Sequence, residues 1–91
     1  MDRAAVAVAL VRAATAMENN PAVNPDQAVR IATLGHPQGH PGFGQPGTDL
    51  FDQVNGALRA ACSWPTARID DIPQAQAITA AYAEAGRLIA P

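Results

Sequence analysis

The sequence predicts an all-α fold: a small four-helix bundle-like domain with three longer helices, one short helix and a long Gly/Pro/His loop. Three observations predict it. Four segments place apolar residues at i, i+3, i+4 and i+7, the period of an amphipathic helix. Prolines, glycines and cap-forming residues divide those segments at positions where helices start and stop. No stretch alternates apolar and polar residues as a half-buried strand would, so helices packing on helices is the economical architecture.

The first helix is expected over residues 3 to 19. Val6, Leu10, Ala13 and Met17 fall on one face. Ala4, Val8, Val11 and Thr15 form a second, weaker apolar face opposite it, and only Arg3, Arg12 and Glu18 carry charge along the helix. A helix apolar nearly all round is usually buried on more than one side, and in so short a chain the second face is a candidate contact with another subunit. Asn19-Asn20-Pro21 ends this helix.

The second helix, residues 25 to 34, has the clearest local signals. Asn24 is the expected N-cap, Pro25 the first helical residue, Gln27 the return partner of a capping box, and Asp26 suits the positive end of the dipole. Gly35 fits the left-handed position just past the end. Ala28, Ile31 and Leu34 are the expected buried residues.

Residues 35 to 47 hold five glycines and three prolines, including the repeated tripeptide Gly-His-Pro at 35–37 and 39–41. Helix and central strand are both excluded there. A loop this long in a compact domain is usually functional or disordered, and Phe43 is its expected anchor.

The third helix is expected over 48 to 63, with Thr48 as N-cap and Asp49 in the first turn. Leu50, Phe51, Val54, Leu58, Ala61 and Cys62 line one face, opposite Asp52, Gln53, Asn55, Arg59 and Ser63. Trp64-Pro65 stops it, because the residue before proline avoids helical angles. The fourth helix is expected over 72 to 89, capped by Asp70 and Asp71, with Pro73 in its first turn. Its apolar stripe reads Ile78, Ala81, Tyr82, Ala85, Leu88 and Ile89, and Ala80, Ala83 and Gly86 allow a neighbour to approach closely. The short connector predicts that the third and fourth helices pair as an antiparallel hairpin.

Size and composition bound what such a domain can do. Ninety-one residues make one domain near the lower limit of independent folding. Hydrophobic residues are 48% of the chain, but much of that share is alanine; there is one Trp, one Tyr, two Phe and two Met. A core so thin commonly gains stability from a partner. The net charge is −2, and the six basic residues, all Arg, are scattered. That pattern lacks the basic stripe that nucleic acid selects, so no nucleic-acid partner is expected. Alanine and arginine usage suggests a GC-rich coding sequence of the actinobacterial or phage kind. No apolar run approaches the length of a membrane span. Arg3, the apolar stretch 4–11 and Ala14-Thr15-Ala16 have the outline of a signal peptide, but Asp2 and Arg12 interrupt it, and an amphipathic helix in a cytoplasmic protein is the preferred reading.

Few residues could carry chemistry. His36 and His40 are the only histidines, four apart in the Gly/Pro loop. They are candidate ligands for a metal or haem iron, although two ligands fall short of the three or four a stable site uses. Cys62, the single cysteine, sits on the apolar face of the third helix, where a buried structural thiol is the simpler reading than a nucleophile, which would need an adjacent base. Asp70-Asp71 is explained by capping, and Asp49 and Asp52 by a solvated surface. Trp64 either fills the end of the bundle or anchors a partner. There is no Lys for a P-loop, and Ser63, the only serine, lies in no nucleophile elbow.

The expected function is therefore a non-enzymatic protein-interaction or assembly module: an adaptor, accessory subunit or self-associating helical domain without a cofactor. Val8, Val11, Phe43 and Trp64 are its candidate contact residues. The alternatives are a metal- or haem-binding protein using His36 and His40, and a small enzyme using Cys62.

Overall fold

A computed structural model describes residues 2–35 and 47–90. The described chain contains four α-helices, one turn of 3-10 helix and no strand: α1 (Arg3–Asn19), α2 (Pro25–Leu34), α3 (Thr48–Ala61), the turn Ile69–Asp71, and α4 (Gln74–Ile89). The all-α fold expected from periodicity is the fold observed.

Caps explain most of the boundaries. Asp2 caps α1, its side chain accepting from the Ala5 N–H at 3.1 Å. Asn24 and Gln27 form the reciprocal capping box of α2: Gln27 N–H donates to Asn24 Oδ1 at 2.8 Å, and Asn24 N–H donates to Gln27 Oε1 at 3.0 Å. Gly35 ends α2 with φ 88°, its N–H donating to Ile31 O.

Three boundary expectations need correction. Thr48 does not cap α3; it is the first helical residue, and Gly47 occupies the cap position with φ 89°. A Cβ on Gly47 would stand 3.0 Å from both Leu34 Cδ2 and Thr33 O, so the end of α2 leaves room there for glycine only. The helix also stops at Ala61 rather than Ser63, and not because of Pro65 alone. Ser63 is left-handed (φ 51°), Trp64 N–H donates to Arg59 O, and Ser63 N–H donates to Ala60 O. That pair of bonds is the Schellman ending, with serine in the place glycine usually takes. Finally, Asp70 and Asp71 do not cap the fourth helix; they belong to the 3-10 turn, and α4 begins after Pro73 with no side-chain cap.

The packing differs more. α4 lies mainly along α1, with α1–α2 the next most extensive contact and α3–α4 a small one, so the third and fourth helices do not form the dominant hairpin. α4 runs antiparallel to α1. Gln74, at its start, donates from Nε2 to Asn20 O and Val23 O at 3.1 and 2.8 Å, just beyond the end of α1. Tyr82, halfway along, meets Thr15 and Glu18. Ile89, at its end, reaches Val8 and Val11.

The physical reason is the size of the facing residues. α1 buries Ala7, Ala9, Ala13 and Ala14, and α4 buries Ala77, Ala81 and Ala85. Small side chains let two helices approach to the short end of the usual 8–10 Å separation. Most large residues of the core come from the other elements and the inner face of α1, where Val6, Leu10 and Met17 join Val29, Val54 and Leu58 in one cluster, and α4 adds Leu88. Ile69 and Ile72 complete it from the 3-10 turn and its end, which pack against α2 and α3. The expected inner face of α1 is therefore correct, whereas α2 buries Val29 with Ala28 and leaves Ile31 and Leu34 half-buried. On α3 the buried residues are Phe51, Val54 and Leu58; Leu50 and Cys62 are half-buried and Ala61 is exposed.

Candidate interaction face

Packing covers α1 on two sides and leaves the third bare. Val6, Leu10, Ala13 and Met17 face the core, and Ala7 and Ala14 are buried against the neighbouring helices. What remains is the row Ala4, Val8, Val11, Thr15 and Glu18, every member of it exposed. Val8 is 50% and Val11 40% exposed.

α4 continues this surface. Its deep positions are taken by Ala77, Ala81, Ala85 and Leu88, so two of the residues expected in its buried stripe are displaced outward. Tyr82 is 40% and Ile89 67% exposed. The four large apolar side chains exposed among the described residues thus all belong to α1 and α4. Between the helices runs an open groove of about 290 Å³ lined by Ala7, Val8, Val11, Arg12, Ala85 and Ile89.

Past one end of the groove the surface is polar and ordered. The Tyr82 hydroxyl donates to the Glu18 carboxylate, and Thr15 Oγ1, which donates to Val11 O at 2.9 Å, lies 3.4 Å from the Tyr82 oxygen. These contacts hold Tyr82 against the C-terminal half of α1, beyond the residues that line the groove. Arg12 stands along the apolar part, and Arg3 lies at the far end of the row; neither makes an ion pair among the described residues. Three other arginines are paired locally: Arg30 pairs with Asp26 at 2.8 Å and stands 4.8 Å from the Phe51 ring centroid, and Arg87 pairs with Glu84. Arg68 pairs with Asp70 at 3.1 Å, and that hydrogen bond holds the Asp70 carboxyl below its ordinary range.

The remaining candidate residues fall as follows. Trp64 is half-buried and packs on the core cluster, closing the end of α3. Cys62 is also half-buried; burial raises its thiol pKa, so it is neutral at pH 7 and a poor nucleophile. His36, His40 and Phe43 lie outside the described residues. Among the described residues no group of three or more His, Cys, Asp and Glu side chains is placed to hold a metal ion. No described helix is long and apolar enough to cross a membrane.

The second apolar row of α1 expected from the sequence is exposed, and α4 adds exposed apolar residues that the sequence pattern does not separate from its buried stripe. Helical spacing puts Tyr82 and Ile89 in the apolar stripe of the fourth helix, yet both are exposed. The signal pointing the other way is the four-residue spacing of Ala77, Ala81 and Ala85, opposite the alanines of α1. No known protein family, curated protein or solved structure matches this chain.

Proposed function

We propose that this protein is a non-enzymatic interaction or assembly module that works through the exposed α1/α4 face. The observation that supports this reading is the exposure of Val8, Val11 and Ile89 along one groove between α1 and α4, with Tyr82 exposed further along the same helix pair, in a chain whose own core is thin. Scattered apolar residues on a surface mean little, but a contiguous apolar strip bordered by charge is the usual mark of an interaction site. The chemistry of the described residues supports the same reading: Cys62 is a neutral thiol, and the carboxylates that pair do so as surface ion pairs with arginine.

The test compares the natural chain with Val11→Glu, an exposed change that leaves the core untouched. Cross-linking in the native host followed by mass measurement is expected to show an assembly containing the natural chain, lost with Val11→Glu, while circular dichroism shows equal helix content. Assemblies identical in the two proteins, or none in either, would refute the proposal.

A further inference from the structure

We infer that the occupant of the α1/α4 face is a second copy of this chain, joined through an antiparallel α1–α1 contact about a twofold axis. The inference rests on the interaction reading above and names its partner.

The first support is geometric. Ala4, Val8, Val11, Thr15 and Glu18 are spaced four, three, four and three residues apart. That is the 3.5-residue period that keeps a seam facing a partner helix over several turns. All five are exposed, and only the last two, Thr15 and Glu18, are touched by Tyr82 of α4. Apart from Glu18 at the end, the side chains are small or β-branched, which suits close approach of two helices.

The second support is self-complementarity. A twofold contact brings one patch against itself, so each residue must suit the residue its symmetry mate presents. Placing the axis midway between Val8 and Val11 sets Val8 against the partner's Val11 and Ala4 against the partner's Thr15. Ile89 already lies beside Val8 and Val11 in the groove. Both copies of Ile89 therefore join the four valines at the axis, and six β-branched side chains lose water together.

The third support is charge. The row ends in Glu18 at the C-terminal end of α1, and Arg3 stands in its first turn without an ion pair among the described residues. Antiparallel pairing carries each Glu18 to the partner's Arg3 and to the positive end of the partner's helix dipole. Asp2, the N-cap at that end, keeps its negative charge while accepting from the Ala5 N–H, so Arg3 is the group that must offset both carboxylates. A parallel arrangement would instead stack Glu18 on Glu18 and Arg12 on Arg12.

Area sets the expected strength. A 17-residue helix is about 25 Å long, and two helices side by side are about 20 Å wide. The face is then on the order of 500 Å² per copy in projection, the low end of specific interfaces. An interface that small makes the expected product a weak, reversible dimer.

Sedimentation equilibrium of the full chain across a range from micromolar to millimolar tests this. The expected result is a monomer–dimer equilibrium between 9.4 kDa and twice that mass. Val11→Glu is expected to weaken it at least 100-fold with helix content unchanged. Orientation is read by disulfide trapping in a Cys62→Ala background, mixing Val8→Cys with Val11→Cys protein. Antiparallel pairing makes the mixed 8–11 cross-link dominate; faster 8–8 and 11–11 cross-links overturn the orientation. A chain that stays monomeric at millimolar concentration, or a dimer indifferent to Val11→Glu, overturns the inference. If that monomer still forms a Val11-dependent assembly in the host, the self-pairing fails while the interaction reading stands; if it forms none, both fail.

Discussion

Ser63 carries a backbone conformation that its side chain disfavours. A left-handed angle costs an L-residue roughly 1–2 kcal/mol, and glycine escapes that penalty while adding about 0.4–1 kcal/mol of unfolded-chain entropy. Ser63 sits at φ 51° because the two Schellman hydrogen bonds of α3 require it. Ser63→Gly is therefore expected to stabilise the fold by about 0.5 kcal/mol, a rise of roughly 3 °C in melting temperature. Gly47 presents the opposite case. Its φ is 89°, and a Cβ there would press on the Thr33 carbonyl, which is backbone and cannot swing aside. Gly47→Ala is expected to destabilise by about 2–3 kcal/mol, combining the left-handed penalty with a steric one. Chemical denaturation of both variants checks the pair. A Gly47→Ala protein as stable as the parent would contradict the packing of α2 against the start of α3.

At the scale of elements, the alanine contact between α1 and α4 organises the fold. Ala81 is fully buried, between Ala77 and Ala85 on the same ridge. Ala81→Leu adds three carbons where helices already approach closely, so overpacking of about 1–3 kcal/mol is expected despite the gain in apolar volume. A thermal melt checks the sign: a stabilised Ala81→Leu protein would mean that the α1–α4 gap is wider than described. The same contact marks where the sequence is legible and where it is not. The capping box at Asn24, the left-handed Gly35 and the Val6–Leu10–Ala13–Met17 face are written in local signals and appear as read. The bare row containing Val8 and Val11 was legible too, because helical periodicity alone separates it from the inner face. The pairing of α4 with α1 was not. It depends on which alanines meet across a distance of some seventy residues, and an apolarity pattern ranks Tyr82 and Ile89 above alanine for burial. Ile69 and Ile72 were missed for a related reason: a connector of two or three anchored residues has no period to read. Gln74 falls on a polar face by pattern, yet its amide satisfies two carbonyls just past α1, a role visible only once α4 is placed.

For the whole molecule, the thin core and the bare face make stability and association one question. Among the described residues eighteen form the buried cluster and eight of them are alanine, so the core holds little apolar area in reserve. A protein that associates only when folded is stabilised by its own concentration. A tenfold excess of protein over the dissociation constant of self-pairing stabilises each chain by about 1 kcal/mol. For a domain of this size that corresponds to a rise of about 4–8 °C in melting temperature. The natural chain should therefore melt several degrees higher near millimolar concentration than at a few micromolar. Val11→Glu should melt at one temperature across the same range, and at low concentration it should match the natural chain, because Val11 is already 40% exposed there. Calorimetry of the two proteins over that range reads both effects. Parallel, concentration-independent melts would show that the face stays open, whatever the sequence of α1 suggests.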